Sequence, residues 1–337
     1  MKRALQLSLL LLVTSIGFTQ QKPHYTQYIL NNYLLNPALS GIENYTDVKI
    51  SARDQWVGLQ GAPKTAYFSI HSPIGKKDDK VTATSFSIPG ENPRGSSYWE
   101  NYTASEAHHG VGFFMVNDQT GLYSRFSANV SYAYHIGLSA KTNISAGFSG
   151  GFSKLSYNRA KATPVDLNDP TLGNGADIYK LVPDLNAGIW LYSSDYFFGV
   201  AAQQILSQQV SLTGNSEGIQ LVPHIFSTAG YRFLLNEDVN AIPSVMVKQV
   251  WRSSVAPQVD LNLKVQFRDM FWVGGSYRVE DGYAGMLGVN VANSFNVGYS
   301  YDFTKTQLNT VSRGTHEFVV GFLLGNDYKD TCPSKIW

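Results

Sequence analysis

An oxygen-rich stretch in the middle of the chain carries the side chains that a calcium ion prefers. Its carboxylates and amides are Asp166, Asn168, Asp169, Asn174 and Asp177. Calcium takes about six to eight oxygen ligands, but the spacing of these residues does not match an EF-hand loop. Asp and Asn followed by Pro and Gly are also what an ordinary surface loop contains. The stretch is therefore interpreted as a loop, and no metal is assigned to it.

Two other groups could support metal binding or catalysis. His108 and His109 are adjacent nitrogen ligands, but no third His or Cys stands at zinc-site spacing from them. Ser, His and Asp are all present, yet no Gly-x-Ser-x-Gly turn carries a nucleophile. A Ser–His pair on neighbouring strands stays open as an alternative, a barrel hydrolase. The prediction is a non-enzymatic protein without a cofactor.

Charged side chains recur at alternate positions in segments whose other positions are apolar. The segments 124–136, 259–268 and 295–303 show this alternation most clearly. Side chains alternate across a β-strand, so each segment has one apolar and one polar face. The polar faces are interpreted as a hydrogen-bonded barrel lining, or alternatively as a site that holds a plug or a secreted partner. Their charged residues are Arg53, Arg125, Arg232, Lys248, Asp260, Lys264, Arg268, Arg278 and Asp302.

Fourteen segments of this kind predict the strands. Several exceed the mean soluble strand of about 5–6 residues and approach the roughly 9–11 that a tilted membrane strand needs. The predicted strands are 46–54, 64–72, 110–117, 123–137, 142–157, 182–193, 195–205, 224–235, 239–251, 257–268, 270–279, 283–292, 295–304 and 315–325.

The connections between these strands are asymmetric. With a periplasmic N-terminus, the periplasmic connections are very short except for the insertion 73–109, whereas the external ones include the long loops 158–181 and 206–223. Short periplasmic turns and longer external loops are typical of outer-membrane barrels. The predicted fold class is all-β, a transmembrane antiparallel up-and-down β-barrel of about 14 strands in the outer membrane. A soluble propeller or sandwich is the alternative.

Composition agrees with this class. The net charge is +1, which indicates no nucleic-acid partner. Aromatic residues make up 13% of the chain and glycines number 30, which suits strands and interfacial girdles. The single cysteine, Cys332, excludes an internal disulfide framework and leaves a free thiol or a bond to another chain.

The chain divides into four parts. Residues 1–19 have the charged start, short apolar run and small residues of a secretory signal peptide. Residues 20–45 lack a sustained period and are predicted to be an N-terminal periplasmic extension. The barrel is expected at 46–325, and 326–337 form a C-terminal tail.

The first predicted hairpin carries a distinctive turn. Gly58, Gly61 and Pro63 break both helix and strand between two alternating segments. Trp56 stands at the strand end, where an aromatic belt would lie in a membrane barrel. Two roles are open for these residues: shaping and anchoring the turn, or docking an exported partner.

Motifs along nearly the whole chain resemble one known family. They are Gln27-Tyr28, Asn36-Pro37-Ala38, Gly41, Arg53, Gln55-Trp56, Gly58, Gly61-Ala62-Pro63, Thr65, Ser69, Pro73, Asp169-Pro170, Pro183-Asp184-Leu185-Asn186, Gly188, Gly230-Tyr231, Pro243-Ser244, Gly275-Ser276-Tyr277-Arg278, Gly298-Tyr299-Ser300-Tyr301-Asp302, His316-Glu317 and Cys332-Pro333. The chain resembles the PorP/SprF family of outer-membrane proteins, which is associated with type IX secretion and gliding motility.

The resemblance implies a fourteen-stranded barrel in the cell outer membrane, without catalysis. It implies partners among the type IX secretion components, a secreted surface adhesin held by its C-terminal domain, and in some members periplasmic, peptidoglycan-linked proteins. An outer-membrane pore or ligand-selective channel is the alternative function. Candidate docking or signature residues are Arg53, Gln55, Trp56, Gly58, Gly61, Pro63, Asp169, Pro170, Asp302, His316 and Glu317.

Overall fold

A computed structural model describes residues 26–76, 95–96, 100, 102–158, 178–210, 219–251, 256–268, 270–291 and 294–326. Its 3-10 helices are Thr26–Leu30, Asn32–Leu34, Pro37–Leu39 and Gln307–Thr310. Its strands are β1 (Thr46–Asp54), β2 (Lys64–Ile74), β3 (His108–Thr120), β4 (Tyr123–Ser139), β5 (Thr142–Tyr157), β6 (Ile178–Tyr192), β7 (Tyr196–Gln203), β8 (Gln208–Val210), β9 (Ile219–Leu221), β10 (His224–Tyr231), β11 (Phe233–Asn236), β12 (Val239–Val250), β13 (Gln258–Phe267), β14 (Phe271–Arg278), β15 (Gly282–Val291), β16 (Phe295–Thr304) and β17 (Thr315–Leu324).

Fourteen antiparallel strands form a closed barrel, which confirms the predicted fold class. Neighbours in sequence pair with one another, and β1 pairs with β17 to close the ring. β10 and β11 both pair with β12 and form one barrel strand, interrupted at Arg232. Closure leaves no unpaired edge, so backbone polar groups at membrane depth are satisfied between strands.

Burial along the strands is the reverse of that in a soluble sheet. On β4 the Val130 side chain is 64% exposed, whereas Asn129 beside it is 1% exposed. The alternation predicted from sequence therefore places apolar side chains outside and polar side chains in the lumen, as a lipid-facing barrel requires. No helix in the described ranges is long and apolar enough to span a membrane.

The segment Thr26–Tyr45, called the plug below, fills much of the lumen. Its apolar residues Leu34, Leu39 and Ile42 belong to one buried cluster with inward-facing Trp190 and Tyr192. The sequence predicts residues 20–45 to be a periplasmic extension, whereas the described part of this segment packs inside the barrel. The physical reason is that its apolar side chains, which show no period, are buried against irregular apolar patches on the inner wall.

The two ends of the barrel differ. At the long-loop end β1, β5, β7 and β16 finish, each ahead of a longer connection, whereas the short-turn end carries the tight turns. In the connection 204–223, β8 and β9 form a small hairpin that sequence analysis did not predict. Its Val210 and Leu221 pack on Leu155 and Val182, which face the lumen, so the hairpin leans over the barrel mouth.

Described residues of the predicted insertion 73–109 contact two separate turns at the short-turn end. The Ser96 backbone N–H donates to Glu237, in the turn between β11 and β12, at 3.1 Å. Farther along, the Ala104 N–H donates to the carbonyl of Ala140 at 2.8 Å, and Asn143 exchanges hydrogen bonds with Ser105. The described residues 95–96, 100 and 102–107 are called the strap below. Because β11 lies across the ring from β2, these residues extend across the end of the barrel.

Candidate functional site

A buried charged cluster near the long-loop end joins the plug to the barrel. Arg53 donates to Glu317 at 2.8 Å and to Asp302 at 2.9 Å. Arg278 lies 3.5 Å from Asp260 and 3.9 Å from Asp302. These residues come from β1, β13, β14, β16 and β17, so the cluster exists only after the barrel closes.

Thr26, the first described residue of the plug, sits within this cluster. Its backbone N–H donates to Glu317 at 2.9 Å, and its hydroxyl donates to Asp302 at 2.5 Å. The same hydroxyl oxygen accepts from Arg53 at 2.6 Å. Hydrogen bonds to charged groups are stronger than those between neutral groups. The cluster therefore holds the part of the plug that is nearest the long-loop end, and it is called the latch below.

Histidines hold the other end of the plug at Ser40 and Gly41. The carbonyl oxygen of Ser40 lies 2.8 Å from His135 Nε2, and that of Gly41 lies 3.3 Å from His108 Nε2. The Gly41 N–H donates to His71 Nδ1 at 3.3 Å. His108, which the sequence places in the insertion 73–109, is instead the buried first residue of β3.

Glycines in the wall make room for this backbone. A Cβ on Gly110 would stand 1.8 Å from the carbonyl oxygen of Ser40, and one on Gly147 would stand 2.6 Å from that of Pro37. No Cβ fits at such distances, so these positions require the absence of a side chain. The plug thus approaches the wall most closely at Ser40, and the Asn36-Pro37-Ala38 motif marks a second close approach.

Tyr28 and Tyr33 anchor the plug laterally. The Tyr28 hydroxyl accepts from Asn262 at 2.5 Å, and the Tyr33 hydroxyl lies 2.6 Å from Ser131 Oγ. Burial raises the pKa of both phenols well above the ordinary tyrosine range, with nearby Asp260 adding to the effect at Tyr28. Both side chains are therefore neutral hydrogen-bonding groups at physiological pH.

The Trp56 hairpin lies directly above the latch. Trp56 has φ +47°, and its N–H donates to Thr315 Oγ1 at 3.2 Å. Trp56 lines a cavity at the barrel mouth with Gln55, Arg53 and Asp302. The sequence places Trp56 at a strand end, where an aromatic belt would lie, and the structure adds that it belongs to the lining of this mouth cavity.

The rest of that turn is built into the rim. The Gln55 N–H donates to the carbonyl of Pro63, and the Gly61 carbonyl accepts from Gly121 in the next loop, both at 2.9 Å. Gly58 and Gly61 have φ of +97° and +76°, which L-residues with side chains rarely adopt. These residues therefore shape the turn, and the structure leaves their docking role a prediction.

His316 stands apart from the latch, although it is adjacent to Glu317 in sequence. It faces the outer surface, where Nδ1 lies 2.8 Å from the Tyr299 hydroxyl and its ring packs against Tyr301. Successive strand residues point to opposite faces, which separates the two. Asp169, Pro170, Cys332 and the predicted signal peptide 1–19 lie outside the described residues.

Metal and nucleophile chemistry finds little support in the described part of the chain. No group of three or more His, Cys, Asp or Glu side chains there could hold a metal ion. The spacing Gly147-x-Ser149-x-Gly151 occurs, but it lies within extended β5, not in a strand-to-helix turn. Ser149 accepts a hydrogen bond from Asn186 at 2.9 Å.

Comparison with known proteins assigns the family. The family described as "Type IX secretion system membrane protein PorP/SprF" matches residues 17–322. The chain belongs to the PorP/SprF family. As a PorP/SprF protein, it is an outer-membrane β-barrel of the type IX secretion system. No curated protein matches it.

Several solved structures are similar to this PorP/SprF chain. The toluene transporter TbuX of Ralstonia pickettii is 10% identical with a TM-score of 0.47, covering 88% of this chain and 92% of its own. The translocator domain of the autotransporter NalP from Neisseria meningitidis is 12% identical with a TM-score of 0.39, covering 83% of this chain and 88% of its own.

Sequence reasoning missed the partner of the latch. It singled out Arg53, Asp302 and Glu317 separately, but it did not connect them with Thr26. The available signal was the charge that Arg53 and Asp302 each place on a predicted polar strand face, because a buried charge must be paired. Thr26 itself carried no signal.

Proposed function

We propose that this chain is a non-enzymatic accessory protein of the type IX secretion and gliding machinery. It binds a secreted surface protein through that protein's C-terminal domain and helps to secrete or anchor it. The observation that carries the proposal is the occupied lumen, in which the plug is latched at Thr26 and held at Ser40 and Gly41. A filled barrel suits a docking role better than the passage of solutes.

The long-loop end is the side on which such a partner would dock. Short turns face the periplasm in outer-membrane barrels, so this end would face outward. It carries Trp56 and the hairpin of β8 and β9, both directed over the mouth. The strap at the opposite end offers a surface to periplasmic components of the machinery.

Loss of one particular surface protein is the expected result of deleting the gene. Affinity purification of the barrel from native membranes, followed by mass spectrometry, should recover that protein with type IX components. Wild-type levels of every surface protein in the deletion strain would contradict the docking role.

N-terminal sequencing of the purified protein tests whether residues 1–19 are removed as a signal peptide.

The alternative is an open pore, and conductance distinguishes the two functions. In planar bilayers the intact chain should show no steady channel current. Steady open conductance would favour the pore. Hydrolytic turnover that survives purification and is lost with one Ser or His substitution would contradict the non-enzymatic assignment.

A further inference from the structure

A cavity opens at the long-loop end between the plug and the inner wall. It measures about 540 Å³ with its open mouth included. Its apolar lining comes from Leu34 and Leu35 of the plug, Phe226 of β10, and Phe114 and Val116 of β3. Asp118, Arg125, Asn129 and Asp184 form a polar side on β3, β4 and β6.

Asn129 is buried without a partner in the described residues. It is 1% exposed, and neither its amide nitrogen nor its amide oxygen makes a hydrogen bond within the described ranges. A buried amide is normally satisfied by protein, water or a ligand, because leaving it unpaired costs free energy. Since Asn129 lines the cavity, a group placed there would satisfy it.

Asp184 has spare hydrogen-bonding capacity at the same place. Its Oδ2 accepts from Ser153 at 3.2 Å and lies 4.0 Å from Arg125 Nη2. Its Oδ1 has no hydrogen-bond partner among the described side chains, although the residue is 4% exposed. The carboxylate can therefore accept a further donor from the cavity.

The charges of the lining favour a cation. Asp118 and Asp184 carry two negative charges against one positive charge on Arg125, and low-dielectric walls strengthen the difference. An alkyl stem fits the side formed by Leu34, Leu35 and Phe226, while an ammonium head can donate to Asp184 and to the Asn129 oxygen.

We propose that this cavity binds a primary alkylammonium group, as a lysine side chain that a docked partner projects into the barrel mouth. The assignment of the ligand to a lysine of a docked partner rests on the proposed function, whereas the alkylammonium site itself does not. Asp184 and Asn129 are its binding residues, and the apolar side of the plug holds the stem. The Pro183-Asp184-Leu185-Asn186 motif thereby acquires a binding role.

Protection of a reporter cysteine tests the site without a partner. In a Cys332→Ser background, Ser127→Cys places a thiol in the cavity lining. The purified barrel is labelled with neutral methyl methanethiosulfonate in the presence of n-pentylammonium, n-pentanol or pentanoate. Only n-pentylammonium should slow labelling, and Asp184→Asn should weaken this protection at least about tenfold.

Two further variants make the result specific. Asn129→Ala should weaken protection while leaving all charges in place. It replaces Asp184→Asn as the test if a heat-modifiable gel shift shows that the Asp184→Asn barrel is not folded. Asp54→Asn removes the same charge at the same end, where Asp54 forms an exposed pair with Lys64, and should leave protection unchanged.

Several results would overturn the proposal. They are equal protection by pentanol, protection unchanged in both Asp184→Asn and Asn129→Ala, no protection at any concentration, or a reporter that the reagent never reaches. Any of these leaves the docking role standing. Conversely, normal protection without capture of a surface protein would remove the docking role and leave the site.

Discussion

The carboxylate of Glu317 accepts a hydrogen bond at 2.9 Å from the backbone N–H of Thr26, which lies 291 positions earlier in the chain. This bond ties the start of the plug to the last strand of the barrel. Arg53 donates to both residues, so one guanidinium joins the first strand, the last strand and the plug. Closure of the ring and insertion of the plug therefore depend on the same buried group.

Removing that guanidinium should destabilise the barrel strongly. Arg53→Met leaves the carboxylates of Asp302 and Glu317 buried without their cation, and breaking a buried ion pair costs about 3–5 kcal/mol. Urea unfolding in lipid vesicles, followed by tryptophan fluorescence, measures the free energy. Arg268→Met is the control, because Arg268 pairs with Asp238 at the surface and should matter little. Equal effects of the two substitutions would count against the latch.

A methyl group on the wall should displace the plug. In Gly110→Ala the new Cβ would meet the carbonyl oxygen of Ser40 at 1.8 Å, and neither backbone can yield cheaply. We expect conductance steps in planar bilayers that the unaltered chain lacks. Gly285→Ala is the matched control, since nothing lies within 4 Å of its Cβ position. A folded Gly110→Ala barrel that stays silent would argue that the plug does not block conduction.

The side chain of Trp56 can be removed without straining its loop. Trp56→Gly suits the φ of +47° and keeps the N–H that bonds Thr315. The barrel should stay folded, and recovery of the surface protein in pull-downs should fall roughly tenfold or more, as for an aromatic anchor. Gly61→Val, strained at φ +76°, tests the shape of the turn separately. Undiminished recovery of the surface protein with Trp56→Gly would show that the hairpin has a structural role and does not bind the partner.

Asn143 should control attachment of the strap. Its side chain accepts from Tyr102 and from the Ser105 N–H and donates to the Ser105 carbonyl. Asn143→Ala removes these bonds, so the strap should open locally by about 1–3 kcal/mol more easily. Limited proteolysis should then cut within 95–107 sooner. Ser294→Ala, which alters an exposed side chain in the turn between β15 and β16 at the same end, is the control, and equal cleavage in both would contradict the prediction.

The plug tyrosines should give the barrel an alkaline limit. Burial raises the pKa of Tyr28 and Tyr33 above the unfolded value of about 10. Their contribution to stability is therefore fully present below about pH 10 and is lost as pH rises further, because only the unfolded state ionises there. The free energy of unfolding should decline above that pH, and the double Tyr→Phe variant should decline less. An unchanged slope would contradict this.

Much of the barrel was predictable because its signal is local. In β1, β5 and β16 the alternation predicted the strand bounds to the residue. Lipid outside and a polar lumen inside impose opposite demands on neighbouring side chains, so each strand carries its own orientation. The hairpin of β8 and β9 was not predicted, because its strands have three residues each and are too short to show a two-residue alternation.

The sequence by itself determined the strand order, the outward face of each strand, and the charges that had to be paired. It did not determine that Thr26–Tyr45 lies in the lumen or that the strap crosses the short-turn end. Those placements depend on contacts between residues far apart in the chain, such as Thr26 with Glu317 and Ser96 with Glu237. Only the closed ring brings such residues together, since no local pattern encodes which lumen wall a plug will meet.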